Sequence, residues 1–154
     1  MCVDYRQLNQ MTMKDAYHFT RIDEIFTFLH NAFCLVASDL LMGYQQIPVS
    51  EEYRLKPAFI THKGLYVFSV MPFGLCNAPA TLQRLIDGNF RGQIGKDLVA
   101  YIDDFLFYAV RHSVLLQILY RTLGQLFDTG LKCKPRKCEF FPDSIRYLGL
   151  IIKY

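Results

Sequence analysis

Residues 98–108 read LVAYIDDFLFY, and two acidic residues divide this stretch into two apolar runs. Both runs are rich in residues that favour β-strands, and two polar residues between such runs indicate a β-hairpin with its turn at Asp103 and Asp104. Adjacent carboxylates repel each other, and the pair lacks the glycine that tight hairpin turns prefer. Because a nearby cation would relieve the repulsion, the stretch predicts a metal site at the tip of a buried hairpin.

The composition indicates one folded domain. The chain has 154 residues, of which 52% are hydrophobic and 15% are aromatic. This is enough for a sizeable core and is unlike the composition of a disordered chain. The net charge of +3 is too small to identify a partner by itself. The sequence shows no signal peptide and no apolar run long enough to cross a membrane, so we expect an intracellular, cytoplasmic protein with no membrane partner.

The cysteines indicate reduced thiols. They are odd in number and lie mostly within apolar runs, which is unlike a disulfide framework and typical of an intracellular protein. Two of them lie close in sequence but lack the spacing of a zinc site. The five are Cys2, Cys34, Cys76, Cys133 and Cys138.

The remaining segments predict an α+β fold. Apolar residues at helical spacing predict helices over about 20–30, from the N-cap Asn77 to about 90, and from Ser113 to a stop at Gly130. Strand patterns cover residues 2–6, 33–38, 46–49, 57–61, 65–70, 138–141 and 145–152, with a turn at 142–144. This order of elements favours a sheet with helices on one face.

A third carboxylate belongs with the acidic pair. Asp39 follows the predicted strand 33–38, and a helical connection would bring this strand end beside Asp103 and Asp104. Three carboxylates at one sheet edge offer the oxygen ligands that Mg²⁺ prefers. Two such ions about 3.5–4 Å apart catalyse in-line phosphoryl transfer. The alternative is that all three are surface aspartates of turns, because the sequence does not establish their proximity.

Several short blocks resemble, in the same order, those of the gypsy-type long-terminal-repeat retrotransposon polymerases. YIDD at 101–104 resembles the catalytic box of reverse transcriptases. The other blocks are VDYRQLN at 3–9, SDL at 38–40, GYQQI at 43–47, MPFGL at 71–75, NAPATLQ at 77–83, KCEF at 137–140 and YLG at 147–149. The resemblance is specific because these blocks cover essentially the whole chain.

The resemblance implies the fingers and palm of a right-hand polymerase over residues 1–154, with an antiparallel palm sheet backed by helices and without thumb, connection or ribonuclease H domains. The implied activity is that of an RNA-directed DNA polymerase. It would extend a primer on an RNA or DNA template with deoxynucleoside triphosphates and two Mg²⁺ ions, with Mn²⁺ as the alternative ion. The resemblance is compatible with a dimer, with further polyprotein domains as partners, and with a location in virus-like particles.

The resemblance also implies roles for particular residues. Asp39, Asp103 and Asp104 are the implied catalytic and metal-binding triad, and Leu40 would assist through its carbonyl group. Tyr44 would exclude a ribose 2′-hydroxyl. This role argues against another hypothesis, that the chain is an RNA-dependent RNA polymerase, because such an enzyme accepts the 2′-hydroxyl. The implied nucleotide-binding set also includes Phe73, Gly74 and Lys137. The residues implied to contact template or primer are Arg6, Lys56, Gln83, Tyr101, Leu148 and Gly149.

The basic group Lys132, Lys134, Arg136 and Lys137 has two interpretations. A lysine here would neutralise or protonate the departing pyrophosphate while its neighbours hold nucleic-acid phosphates. Alternatively, the group is a solvated loop. The block in which Lys137 stands favours a functional role for that residue.

The chain also departs from the family pattern. Ala37 and residues 41–42 are apolar where the family has basic or polar residues, and the helix after the hairpin is apolar at Val110, Val114 and Leu115. Such changes would expose apolar surface. They favour, as the alternative function, a catalytically silent retrotransposon remnant that binds only nucleic acid or a partner protein.

Overall fold

The computed structural model describes residues 3–30 and 32–153. The helices in these residues are α1 (Arg6–Met11), α2 (Ile22–Leu29), α3 (Ala78–Phe90) and α4 (His112–Asp128). The strands are β1 (Cys34–Asp39), β2 (Phe59–Thr61), β3 (Gly64–Tyr66), β4 (Leu98–Tyr101), β5 (Asp104–Ala109), β6 (Glu139–Phe140), β7 (Ser144–Tyr147) and β8 (Leu150–Lys153). Short 3-10 turns cover Gly43–Gln46, Glu51–Tyr53 and Pro135–Lys137.

A four-stranded antiparallel sheet, in the order β4-β5-β1-β6, forms the centre of the molecule. β5 pairs with β4 through the predicted hairpin and with β1 on its other side. The register places Asp39, the last residue of β1, opposite Asp104, the first residue of β5. The α+β class with an antiparallel sheet is therefore confirmed, and the sheet brings the predicted acidic residues to one edge.

The core occupies both faces of this sheet. Phe105 and Phe107 of β5 pack with α3 and α4 in one buried cluster. Leu106, between them in the sequence, belongs to a second cluster with Ile25 of α2 and Ile145 of β7. The expectation of helices on one face is therefore wrong, because α2 and the β7–β8 hairpin cover the opposite face.

The predicted helix after the hairpin is confirmed as α4. Leu115 and Leu119 are among its buried residues, as the helical spacing of the apolar positions predicts. Gly130 has φ +75° and ends the helix, as glycine commonly does just past a helix C-terminus. The N-cap position is Arg111 rather than the predicted Ser113.

Two strand predictions are wrong, and a third predicted β segment is divided into two strands. In place of a strand over 2–6, residues 3–5 have no regular structure and α1 begins at Arg6, while Cys2 lies outside the described residues. Instead of the strand 46–49, the chain forms a 3-10 turn and a single bridge between Pro48 and Val70. The segment 145–152 is a hairpin, because Leu148 and Gly149 have φ +48° and +82° and form a two-residue turn between β7 and β8.

Two further sequence expectations concern the whole chain. Within residues 3–30 and 32–153, no helix has the length and apolar character needed to span a membrane. The cysteines in the same ranges, which leave out Cys2, are free thiols. They are Cys34, Cys76, Cys133 and Cys138.

Candidate active site at the edge of the sheet

The hairpin turn lies one residue earlier than predicted. Tyr101 pairs with Asp104, so the two turn residues are Ile102 and Asp103, and Asp104 is already part of β5. Ile102 has φ +54°, a conformation that costs a β-branched residue about 1–3 kcal/mol. This shift gives the two carboxylates different settings, one in the turn and one in the sheet opposite Asp39.

The strained turn is supported by Gln83 of α3, which is 2% exposed. Its Oε1 accepts a hydrogen bond from the Ile102 amide at 2.7 Å, and its Nε2 donates to the Ala100 carbonyl at 3.2 Å and to Asp87 at 2.9 Å. The side chain is thus engaged within the protein, and its implied contact with a template stays a prediction. Its place among the apolar residues of the buried face of α3 was the sequence signal for this structural role.

The three predicted carboxylates come together at the sheet edge. The Leu40 amide donates to the Asp103 carbonyl at 2.8 Å, which joins the end of β1 to the turn. Burial, and then the charge of Asp39, raise the pKa of both Asp103 and Asp104 against the opposing effect of Lys137. Oδ1 of Asp103 is buried with no hydrogen-bond partner among the described residues. The edge therefore carries more negative charge than its surroundings neutralise.

Lys137 supplies the positive charge closest to these carboxylates. Its ammonium group forms an ion pair with Oδ2 of Asp39, and this hydrogen bond raises the pKa of Lys137. The Lys134 amide also donates to the Asp39 carbonyl at 2.7 Å. The loop that carries the basic group is thus attached to the end of β1, and Lys137 has a partner besides solvent.

A cleft of about 390 Å³ opens beside the carboxylates. The sequence did not indicate Arg146 as one of its cationic residues, although the exposed positions of β7 alternate with buried Ile145 and Tyr147. That alternation is the signal that would have identified it. The charged residues that line the cleft are Asp39, Asp104, Arg136, Lys137, Glu139 and Arg146.

The turn after β1 packs against Asp103. A methyl group at Gly43 would overlap Oδ1 of Asp103 and lie 2.9 Å from Cδ2 of Leu82. The next residue, Tyr44, is half-buried, and its ring centroid lies 5.4 Å from that of Phe73 at an angle of 78°. Burial and the charge of Asp103 raise the pKa of Tyr44. Two of the residues implied in nucleotide binding thus lie together beside the carboxylates.

The β7–β8 hairpin is attached to the same edge. The Tyr147 hydroxyl donates to the Asp104 carbonyl at 3.2 Å, and burial raises the pKa of this tyrosine. Leu148 of the following turn lines the cleft and Gly149 completes the turn. The segment implied in primer binding therefore borders the carboxylates.

Two other predicted site residues, Gly74 and Tyr101, do not line the carboxylate cleft. Gly74 has φ +91°, and its carbonyl accepts a hydrogen bond from Asn9 at 2.7 Å. These interactions fix the loop that carries Phe73. Tyr101 ends β4, and its ring centroid lies 6.0 Å from that of Phe19.

Two predicted contact residues are not brought to the carboxylate cleft. Arg6 is bound to Asp4 at 2.5 Å, and this hydrogen bond lowers the pKa of Asp4 to about 2. The Lys56 ammonium lies 4.2 Å from the Tyr53 ring centroid. Lys56 lines a separate cleft of about 200 Å³. Their implied contacts with template or triphosphate stay predictions.

The donor set fits a divalent cation in its chemistry. In the described part of the chain, no group of three His, Cys, Asp or Glu side chains is arranged ready to hold a metal ion, and Asp39 is instead paired with Lys137. Three carboxylates, one of them with an unpartnered buried oxygen, nevertheless offer hard oxygen ligands. The raised pKa values of Asp103 and Asp104 are those of acids that a cation would stabilise in the ionised form.

Comparisons with known sequences agree on one family. Residues 1–152 match the reverse transcriptase (RNA-dependent DNA polymerase) family. The chain is 36% identical over 150 residues to the retrovirus-related Pol polyprotein from transposon 297 of Drosophila melanogaster, and 35% identical over 152 residues to that from transposon gypsy of the same organism. These matches cover 97% and 99% of this chain but only 14% and 15% of the two polyproteins.

Comparison with solved structures confirms the fold. The foamy viral protease-reverse transcriptase in complex with an RNA/DNA hybrid matches with a TM-score of 0.88 at 23% identity, over 97% of this chain and 20% of that one. A second structure of that protein, in complex with double-stranded DNA, matches with a TM-score of 0.89 at 23% identity, over 97% of this chain and 26% of the other. The chain thus has the fold of fingers and palm.

Proposed function

The chain belongs to the reverse transcriptase family, and from that premise we propose that it carries the nucleotidyl-transfer centre of an RNA-directed DNA polymerase. The observation that carries this proposal is the register of the sheet, which sets Asp39 opposite Asp104 with Asp103 in the adjoining turn. The chain spans about 15% of the length of the Pol polyproteins it matches. The polymerase activity of those whole proteins is therefore proposed for this chain.

In the proposed reaction the oxygen of a primer 3′-hydroxyl forms a bond to the α-phosphorus of a deoxynucleoside triphosphate. The bond between that phosphorus and the oxygen leading to the β-phosphate breaks, pyrophosphate leaves, and the hydroxyl proton is released to solvent. Asp39, Asp103 and Asp104 would hold divalent cations, preferably Mg²⁺, which would lower the pKa of the hydroxyl and balance the charge of the triphosphate. The pKa values of Asp103 and Asp104, raised by burial and then by the charge of Asp39, support this role.

Lys137 is proposed to assist the leaving group. Its side chain is 55% exposed, so the ammonium group is accessible from the cleft. The hydrogen bond to Asp39 raises its pKa, and the residue therefore carries its proton at neutral pH. Donation of that proton to pyrophosphate, or electrostatic attraction by the ammonium group that keeps it, would stabilise the departing anion.

Tyr44 is proposed to select deoxynucleotides. It lies beside Asp103 and against Phe73, where a bound sugar would be close to the reacting phosphate. We expect Tyr44→Ala to increase the use of ribonucleotides relative to deoxynucleotides in primer extension. Tyr53→Ala, at a tyrosine that is 48% exposed and borders another cleft, is the matched control and should leave this ratio unchanged.

The proposed partners are an RNA or DNA template and its primer. Arg136 and Arg146 place guanidinium groups in the cleft, and such groups bind nucleic-acid phosphates. The turn at Leu148 and Gly149 borders the same cleft and would contact the primer strand. The foamy viral homologues bound to an RNA/DNA hybrid and to double-stranded DNA support this class of partner.

Primer extension tests the proposal. The purified chain, Asp103→Asn and the control Asp128→Asn are supplied with a primed RNA template, deoxynucleotides and Mg²⁺. Asp128 is the exposed last residue of α4, so its variant should extend primers as the parent does. We expect no extension by Asp103→Asn; equal extension by all three proteins would contradict the role of the carboxylates.

A non-catalytic nucleic-acid binder is the second candidate. Two observations favour it: the ion pair between Lys137 and Asp39, and the lack of a ready-made metal cluster in the described residues. This candidate predicts no extension and equal binding of primer–template by the parent and Asp103→Asn, with or without Mg²⁺. Binding that Mg²⁺ strengthens in the parent alone would exclude it.

A further inference from the structure

The outer face of α4 carries an apolar stripe. Leu116, Tyr120, Leu123 and Phe127 follow one another at intervals of four, three and four residues, the spacing of a helix-pairing seam. They are 55%, 86%, 47% and 84% exposed. The adjoining face of the helix is buried against the sheet, so α4 is apolar on two sides.

Charge is absent from the side of α4 that carries the stripe. Helical geometry places Ser113, Gln117 and Gly124 beside the four apolar residues. The helix carries Arg121 and Asp128 outside this side, and Arg121 is bound to Asp97 at 2.6 Å. A solvent-facing helix surface normally carries charged residues, so this face has the composition of a contact surface.

The size of the stripe is that of half a small interface. An aromatic side chain buries about 150–250 Å² when it is covered, so two aromatic and two half-exposed leucine side chains supply roughly 400–500 Å². Two such faces together bury close to the lower limit of about 1,000 Å² for a specific protein interface.

The order of residues along the stripe is self-complementary, and we propose that α4 pairs with α4 of a second copy of this chain in an antiparallel, two-fold dimer. A two-fold axis through the middle of the stripe sets Leu116 against Phe127 of the second copy and Tyr120 against Leu123 of the second copy. Each aromatic ring then meets a leucine, and no like charges face each other. A partner of unrelated sequence would not require this symmetry.

The proposed dimer is compatible with access to the carboxylate cleft. None of the four stripe residues lines that cleft, which lies at the sheet edge formed by the end of β1 and the start of β5. The proposal is independent of catalysis, and a silent remnant would form the same dimer.

Sedimentation of the chain over a range of concentrations tests the dimer. We expect a micromolar dimer, which would be essentially complete at about 100 μM. Tyr120→Glu should raise the dissociation constant at least about 30-fold, as the loss of a central aromatic anchor does. The control Ile60→Glu changes a residue of β2 that is 81% exposed and should leave the constant unchanged.

A mixing experiment tests the antiparallel pairing. Tyr120→Glu and Leu123→Lys should each be monomeric alone, with the melting temperature of the monomeric parent, and should form a heterodimer when mixed. In that heterodimer one glutamate faces one lysine while the second contact keeps its tyrosine and leucine. If one variant fails to fold, a comparison of the other variant with the parent still tests whether the substitution removes the dimer.

Three results would overturn the proposal. A parent chain that is monomeric at about 100 μM would assign the stripe to a different partner. A dimer that survives both substitutions but is lost in Ile60→Glu would place the interface elsewhere. Failure of the two folded monomeric variants to associate when mixed would exclude the antiparallel arrangement.

Discussion

Gly43 is the position at which one added methyl group would most directly disturb the candidate site. In Gly43→Ala the new Cβ would overlap Oδ1 of Asp103 and crowd Leu82. We expect extension activity to fall about 100-fold, because displacing a catalytic group by about 1 Å costs that much, and stability to fall by about 1–3 kcal/mol. Gly88→Ala, in an exposed part of α3 where a Cβ meets open space, should keep activity. Normal activity in Gly43→Ala would mean that Asp103 has room to move.

Asp103 itself is predicted to lower the stability of the fold at neutral pH. Burial and neighbouring carboxylates raise its pKa above the ordinary 3.8, so the unfolded chain releases this proton more readily than the folded one. Ionisation therefore favours unfolding, and stability falls as pH rises from the ordinary value through the raised one.

Asp103→Asn removes this ionisation. Its gain in unfolding free energy over the parent should be small near pH 4 and grow toward pH 7, as measured by urea unfolding at several pH values. Mg²⁺ should stabilise the parent more than this variant. Asp143→Asn, in an exposed turn, is the control. A gain that shrinks with rising pH would contradict the direction of the pKa shift.

At the scale of elements, α3 supports the β4–β5 hairpin through one buried amide. Gln83→Ala would leave the Ile102 amide and the Ala100 carbonyl without this partner. We expect a loss of about 2–3 kcal/mol, since unsatisfied buried polar groups cost about 1–3 kcal/mol. Gln117→Ala on the exposed side of α4 makes the same chemical change and should cost less than about 0.5 kcal/mol. Similar losses in both variants would show that the hydrogen bonds of Gln83 contribute little.

The elements that could be predicted from the sequence are those whose local pattern and tertiary setting agree. β1, α3 and α4 have strong apolar periodicity and lie close to their predicted positions. The one-residue shift of the turn was not predictable because Ile102 is a poor residue for positive φ. Only the hydrogen bond from Gln83, 19 residues earlier in sequence, shows how that strain is tolerated.

The N-terminal segment shows the opposite case. Alternating residues predicted a strand at 2–6, yet α1 begins at Arg6. Tyr5 is 6% exposed and donates its hydroxyl to the Pro57 carbonyl at 2.9 Å, while Asn9 binds the loop at Gly74. These partners lie more than 50 residues away in the sequence, so tertiary contacts override the local alternation. The convergence of the carboxylates has the same long-range character, since register and not local pattern sets Asp39 opposite Asp104.

At the scale of the whole molecule, charge placement matters more than the net charge of +3. Arg136, Lys137 and Arg146 all line the carboxylate cleft. If nucleic acid binds there, Arg146→Gln should weaken binding and reduce the slope of log affinity against log salt by about 1. The control Arg111→Gln lies beyond the other end of β5 and should keep the slope of the parent. Equal slopes in all three proteins would place the nucleic acid away from this cleft.

The two buried faces of the central sheet predict that residues 1–154 unfold as one unit. Leu106 and Phe107 are 0% and 1% exposed and belong to opposite clusters, yet they are neighbours in β5. Leu106→Ala should cost about 2–5 kcal/mol and Phe107→Ala about 3–5 kcal/mol, a large share of the roughly 5–15 kcal/mol that stabilises a domain.

Urea unfolding followed by circular dichroism and by tyrosine fluorescence, which the chain permits because it has ten tyrosines and no tryptophan, tests this prediction. Each substitution should lower the midpoints of both signals together, because one strand transmits the loss to both faces. Leu65→Ala, in the small β2–β3 sheet where this side chain is 60% exposed, should change the stability by less than about 0.5 kcal/mol. Separate transitions, or a substitution that moves only one signal, would show two units that unfold independently. The stability of the sheet edge that carries the carboxylates would then depend on only one of these two units.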